Sequence, residues 1–388
     1  MTELPMGESE PTGSGPPTGN GPPTGNGPPT GNGPRGRAKA TAVASLSLDL
    51  DDKWAYLKTH GDTGWDELPS FLDLVVPRAL AVLGRLGLHA TFFVVGQDAA
   101  LQRNREVLGR IVAAGHEIGN HSFHHEPWLS AQSQQQIAVE LARAEECIEA
   151  ATGCRPVGFR GPGYSFAPAI LRVLSEREYL YDASTFPTYI GPLARAYYYS
   201  RTELSREERA KRATVFGGFR DGQRPLRPYV WRIAERTLVE IPVTTLPILR
   251  VPFHPSYMLY ISRATCAGAA FLFRAALDWC GLFRLQPSVM LHSLDFLGCD
   301  DDVGLPFFPG MSQPRERKAR CVEVMLRALA RRFEVVPVGR HARLVAMMPG
   351  ARELRVSAGE PPSAVAGREN AAENLGISSD GATARPGC

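Results

Sequence analysis

The chain has 388 residues, 44% of them hydrophobic and 21% charged, with a formal net charge of +3 from 43 basic and 40 acidic side chains. That balance belongs to a globular protein long enough to bury a core without staples, and no Lys- or Arg-rich run interleaved with aromatics marks a nucleic-acid groove. The seven cysteines are scattered and none forms a Cys-x-x-Cys pair, so they read as reduced thiols of a cytoplasmic protein, with neither a zinc ribbon nor a disulfide scaffold indicated.

The first residues, MTELPMGESE, are acidic and polar, and without an apolar stretch they predict no secretory signal. TGNGPP then repeats between residues 18 and 34. A segment of Gly, Pro and Asn cannot bury apolar surface, so residues 1–38 are expected to be a disordered tail. From 39 to 348 strand-like and helix-like segments alternate. TAVASLSLDL reads as a buried strand, LPSFLDLVVPRALAVLGRLG as a helix, and HATFFVVG as the next strand. LQRNREVLGRIVAAG (helix) and HEIGN (short strand) follow, then a long helix near 133–152 with Ile137, Leu141, Ala144 and Ile148 at helical spacing. Further strands are expected in PVGFRGPG, YLYDAST, TLVEIPVTT, PSVMLHS and FEVVPVG. Repeated βα units predict an α/β fold, a distorted (β/α) barrel of about seven parallel strands with its chemistry at the strands' C-terminal ends.

Residues 187–236 break the rhythm with aromatics, a charged helix and a Gly/Pro-rich loop, which reads as an insertion over the barrel mouth. CAGAAFLFRAALDWCGLF (266–283) is apolar but carries Arg274 and Asp278, which favours a buried or peripheral helix over a membrane span. Residues 349–388 are expected to form a second disordered tail.

The chemistry gathers in a few short stretches. HEIGNHSFHH (116–125) holds four of the nine histidines. His121 and His125 stand four apart and would share one face if the segment turned helical, with Asn120 and Ser122 capping or orienting the turn. His124 reads as a wet turn residue and His116 as strand-end packing. SLDLDD places Asp49, Asp51 and Asp52 at the end of the first strand. Such acids repel one another unless a cation compensates, although a solvated, Asp-capped loop would show the same pattern. One Asp and two His with open positions for water form a standard hydrolytic metal site, leaving another carboxylate to act as base.

In this order, SLDLDD, HATFFVVG, HEIGNHSFHH, FRGPGYS and VMLHS resemble the polysaccharide deacetylase family, the NodB-homology carbohydrate esterases, over residues 40–340. The resemblance implies a hydrolase that uses one divalent ion to remove an N-acetyl or N-formyl group from an amino sugar. His121 and His125 match the family's metal histidines. Leu50 separates Asp49 from Asp51 where the family has adjacent acids. Alignment of the strand makes Asp49 the base and Asp51 the ligand; Asp51 as base with Asp52 as ligand is the other assignment. Arg160 would orient the catalytic carboxylate, a backbone N–H near Gly163 and Tyr164 would face the oxyanion, and His292 would protonate the leaving amine. Asp182 is a looser candidate, to support His292 or shape the sugar pocket. Asp295 and the CDDDVG loop (299–304) read as solvated acids.

Zinc is the expected ion, with cobalt or nickel suited to the same site. The expected partner is an N-acylated sugar or glycan precursor, nucleotide- or lipid-linked, with peripheral membrane contact through residues 266–283. Two other readings stand beside the deacetylase: a carbohydrate-binding pseudoenzyme, and an amidohydrolase acting on a non-sugar amide.

Overall fold

In the computed structural model, residues 42–201, 206–211, 217–301, 303–306, 308 and 310–356 are described. Both expected disordered tails lie outside this range, except for residues 349–356. The strands are β1 (Val43–Leu50), β2 (Thr91–Val94), β3 (Glu117–Asn120), β4 (Gly158–Phe159), β5 (Tyr181–Asp182), β6 (Tyr229–Ile233), β7 (Arg236–Glu240), β8 (Ser288–His292), β9 (Glu334–Val336) and β10 (Glu353–Arg355). They order as β10-β6-β7-β5-β4-β3-β2-β1-β8, with β9 also paired to β1. Every pairing is parallel except the β6–β7 hairpin. The expected α/β fold is present with a mostly parallel sheet, and among the described residues no hydrogen bonds join β8 to β10 to close the ring.

The organisation of β1 explains much of the rest. A strand points successive side chains to opposite faces. Leu46, Leu48 and Leu50 enter the apolar cluster formed with helices Leu72–Leu86, Cys266–Leu282 and Arg315–Arg332. The alternate residues Ser45, Ser47 and Asp49 carry polar groups that are equally buried. They are satisfied from across the sheet: Ser45 Oγ by His341 Nδ1 at 3.0 Å, and Ser47 Oγ by Arg160 Nη1 at 2.8 Å.

Two strands lie where none was expected. β6 falls inside the proposed insertion, where surrounding Pro and Gly obscure the short run around Tyr229 and Trp231, both buried. β10 falls inside the proposed C-terminal tail. Its only apolar residue is Leu354, and the backbone of β6 holds it in place.

The cysteine expectation also needs correction. Cys266 and Cys321 form a disulfide with Cα atoms 5.7 Å apart, joining helices Cys266–Leu282 and Arg315–Arg332. The partners are 55 residues apart in sequence, and only the packing of the two helices brings them together, so spacing gives no sign of the pair. Helix Cys266–Leu282 is peripheral, with Ala269, Phe273, Ala276 and Leu277 buried and Phe271, Trp279 and Leu282 exposed. Among the described residues, no helix is long and apolar enough to cross a membrane.

Candidate metal centre and active site

Parallel strands place their C-terminal ends on one edge, and the chemically interesting residues collect there. Asp49 lies in register with Phe93 of β2 and His292 of β8. His121 follows β3, and Arg160 follows β4.

The segment after β3 does not become a helix. Ser122 and His125 adopt left-handed backbone conformations, with φ of 62° and 51°. Two local bonds hold the turn: Ser122 N–H donates to Asn120 Oδ1 at 2.8 Å, and His125 N–H donates to Ser122 Oγ at 3.2 Å. Asn120 and Ser122 thus orient the turn, and the imidazoles of His121 and His125 meet with ring centres 5.1 Å apart. His124 points away and pairs with Glu140 at 2.7 Å. His116 packs at the strand start, where its Nδ1 accepts from Ala90 N–H.

Asp51 Oδ1 stands 3.2 Å from His121 Nε2 and 3.0 Å from His125 Nε2. One ligand atom from each of these three buried residues lies within 4.8 Å of the other two. His121 Nδ1 lies 2.7 Å from the Arg160 carbonyl. A carbonyl can only accept, so Nδ1 carries the hydrogen and Nε2 is the nitrogen directed at Asp51. Burial would raise the Asp51 pKa, but the adjacent His125 and His121 imidazoles outweigh it and hold the carboxyl well below its usual range. Burial would lower His121, and Asp51 and Asp49 reverse that shift upward. Asp51 Oδ1 makes no well-formed hydrogen bond even so, and His125 Nδ1 has none. An anionic oxygen and two imidazole nitrogens, buried and aimed at one another, form the donor set that a borderline divalent cation prefers.

Asp49 is held separately. Arg160 Nη1 donates to Asp49 Oδ1 at 2.6 Å, while its Nε donates to the Ala183 carbonyl at 3.1 Å. The guanidinium carbon also sits 4.3 Å from the centre of the Phe93 ring. Arg160 is fully buried, so it and Asp49 are a desolvated ion pair. The turn after it, Pro162–Tyr164, has left-handed φ at Gly163 (58°) and Tyr164 (62°). Tyr164 N–H is bonded to the Gly161 carbonyl, which leaves Gly163 as the residue of this turn to consider for an oxyanion donor. The Tyr164 hydroxyl reaches Met290 Sδ at 3.4 Å.

Asp52 stands apart from these groups. Its Oδ1 accepts from Lys53 N–H and Phe71 N–H, each at 2.8 Å, capping helix Lys53–His60. It faces Asp98, which also accepts from Trp54 Nε1. Burial raises both carboxyls, and the charge of Asp52 drives Asp98 further up.

His292 ends β8. Its Nδ1 is 2.8 Å from Ser256 Oγ, which donates to Asp295 Oδ2 at 2.8 Å. Asp295 Oδ2 also accepts from His292 N–H. Asp295 is buried, contrary to its reading as a solvated loop acid. In the neighbouring loop Asp301 is tied to Arg78 at 2.7 Å. Ser256, at the start of helix Pro255–Ile261, gives no sequence signal because a lone serine in HPSYM matches no motif. Asp182 does not support His292. It bonds Ser184 and lies in register with Glu240, forming a buried acid pair on β5 and β7.

Residues 62–181 match the family model described as polysaccharide deacetylase. Over that segment the chain carries a polysaccharide deacetylase domain. A peptidoglycan deacetylase of Helicobacter pylori is 29% identical over 38% of this chain and 50% of its own length. The uncharacterized protein YlxY of Bacillus subtilis is 33% identical over 26% of this chain and 31% of its own. The deacetylase-like chain therefore spans half or less of the length of these two curated relatives. A crystal structure from Mycobacterium smegmatis bearing the same family name superposes with a TM-score of 0.50, 19% identity, and coverage of 80% of this chain and 96% of that one. At that identity the likeness establishes a shared fold.

Proposed function

We propose that this chain is a polysaccharide deacetylase family member, a metal-dependent hydrolase that removes an N-acetyl or N-formyl group from an amino sugar of a glycan or glycan precursor. The observation that carries the reading is the convergence of buried Asp51, His121 and His125, with ligand atoms within 4.8 Å of one another, beside the Asp49–Arg160 pair. Zinc suits this nitrogen-rich set, and cobalt or nickel would fit the same donors. An ion held there would lower the pKa of a water and polarise the acyl oxygen.

The chain's own residues supply the rest. Arg160 fixes Asp49 by one oxygen, leaving the other to take a proton from the attacking water. The backbone near Gly163 would face the developing oxyanion. His292, tied through Nδ1 to Ser256, would use Nε2 to give a proton to the departing amine. The Cys266–Cys321 bridge belongs with an oxidising compartment, so the cytoplasmic placement read from the cysteine pattern is not carried forward. For a second partner, a lipid surface suits exposed Phe271, Trp279 and Leu282, with exposed Arg263, Arg274 and Arg284 near them in sequence. Flotation with anionic liposomes should carry the protein upward, and failure to float would remove this contact.

The activity is tested by acetate release from N-acetylglucosamine oligomers, comparing the native protein with Asp49→Asn. A loss of about 10²–10⁴-fold in kcat is expected for removal of a general base. Full activity in the variant would dismiss Asp49 as base. Turnover of small amides with none of any N-acetylated glycan would favour the non-sugar amidohydrolase.

A further inference from the structure

Helix Lys53–His60 leaves β1 directly after the acids at the strand end, and it is clamped to the site at two points. At its start, Asp52 Oδ1 accepts from Lys53 N–H and Phe71 N–H, each at 2.8 Å. Near its end, Lys58 Nζ donates to Glu126 Oε1 at 2.7 Å and to the His124 carbonyl at 3.0 Å, on either side of His125. Between these clamps stands Tyr56, in a stretch, DDKWAYLK, that matches no motif. Its ring packs edge-on to Phe308 with centres 5.0 Å apart and tilted to Phe71 at 6.1 Å. The helix and these two rings fix where the tyrosine hydroxyl points.

That hydroxyl is enclosed and has no hydrogen-bond partner among the described residues. Leu294 N–H approaches it without forming a well-shaped bond. A buried hydroxyl left unpaired destabilises a fold, and a phenylalanine would fill the same space without that cost. The oxygen is also close to the chemistry. Burial raises its pKa well above the usual range, and the charges of Asp51, Asp295 and Asp49 push it further the same way. These are the acid facing the two imidazoles, the acid behind His292, and the carboxylate held by Arg160. The hydroxyl therefore keeps its proton and is available as a donor. None of the three carboxylates accepts from it. Asp49 Oδ1 takes Arg160, Asp51 Oδ1 faces the imidazoles, and Asp295 Oδ2 takes Ser256 and His292 N–H.

A fixed donor without an acceptor suits a place where negative charge develops during a reaction. Attack on an acyl carbon moves charge onto its oxygen, and three nearby carboxylates oppose that movement. The turn after Arg160 offers limited help, because Tyr164 N–H is already taken by the Gly161 carbonyl. Asp51 Oδ1 is enclosed to the same degree as the tyrosine oxygen. The hydroxyl thus lies at the depth of the reacting groups, where a small acyl group can reach.

We propose that Tyr56 is a catalytic residue of this site, its hydroxyl donating a hydrogen bond to the acyl oxygen as that oxygen becomes an oxyanion. No proton leaves the tyrosine. The bond strengthens as charge builds on the oxygen and weakens again when the carbonyl re-forms. The proposal rests on the deacetylase reading of the site and adds a donor that the sequence motifs do not contain.

The test is Tyr56→Phe, which removes one oxygen and keeps the ring. In acetate release from N-acetylglucosamine oligomers, kcat should fall by about 10²–10³-fold with KM little changed. Tm should equal or exceed that of the native protein, and metal content should match it. This combination separates a transition-state donor from a structural tyrosine, whose loss lowers Tm, and from a residue that holds the ion. A kcat loss below about tenfold, or a loss accompanied by a lower Tm or by missing metal, would overturn the proposal. An active native protein with an equally active variant would leave the deacetylase reading standing without this donor. Should no acylated sugar be turned over, calorimetric titration of the zinc-supplied protein with acetate, the product of any deacetylation, decides. Binding that weakens by about tenfold or more in Tyr56→Phe would keep the donor and place the fault in the catalytic reading. Equal binding by both proteins, or none by the native protein, would remove the donor as well.

Discussion

The two halves of the site are built differently. On the β1–β4 side, Asp49, Asp51, His121 and Arg160 stand on or within a few residues of strand ends, and much of this side lies in the segment that matches the family model. On the β8 side, the order of His292 depends on Ser256 and Asp295, which reach it from a separate helix and a 3-10 turn. The first half is held by buried charge and the second by a chain of hydrogen bonds. Removing a component should therefore damage stability in one and mainly rate in the other.

The largest stability effect is expected at Arg160. Its removal leaves Asp49 as a buried carboxylate without its cation, and breaking a buried pair in this way costs about 3–5 kcal/mol. Urea unfolding of Arg160→Ala should register that loss. A cost below about 1 kcal/mol, the range of surface pairs, would mean that Asp49 is better solvated than its burial implies. Ser256→Ala should behave in the opposite manner. Unfolding should change little, while kcat falls by about 10–100-fold as His292 loses its Nδ1 partner, less than the loss of the general acid itself. An unchanged kcat in Ser256→Ala would show that His292 needs no such support.

A smaller effect sharpens the contrast between ionised and neutral buried acids. Burial raises Asp182 to about 6, against the pull of its Ser184 and Glu240 bonds. Burial, then the charge of Asp182, raises Glu240 well above its usual range. An acid whose folded pKa exceeds its unfolded value of about 3.9 binds its proton more tightly when folded. Its stabilising contribution is present at low pH and is lost as pH rises through about 6. Asp182→Asn cannot ionise, so its stability relative to the native protein should improve between about pH 4.5 and pH 7.5, on the order of 1–2 kcal/mol. A flat difference across that range would mean that Asp182 is not the group that titrates.

The same division explains what could be read in the sequence. TAVASLSLDL reads as a buried strand, repeated βα units carry the fold class, and the order of the motifs carries the resemblance. Asp51 and Asp52 could not be separated in this way. They are adjacent, acidic and buried, and their fates diverge because one faces two imidazoles while the other caps a helix beside Asp98. Those partners lie 46 residues or more away along the chain. The turn bringing His121 to His125 was equally hidden, since spacing of four suggests a helix and the geometry comes from two left-handed residues. Ser256, Asp295 and the Cys266–Cys321 bridge are products of tertiary packing, with no local pattern to announce them.

The central claim is that Asp51, His121 and His125 hold an ion. Its direct test is metal content by plasma mass spectrometry, on protein purified without added metal or a histidine tag, beside the His121→Ala/His125→Ala variant. The account predicts about one divalent ion per native chain and essentially none in the variant. Native protein that takes up no ion even when zinc is supplied, or a variant that keeps its ion, would contradict it.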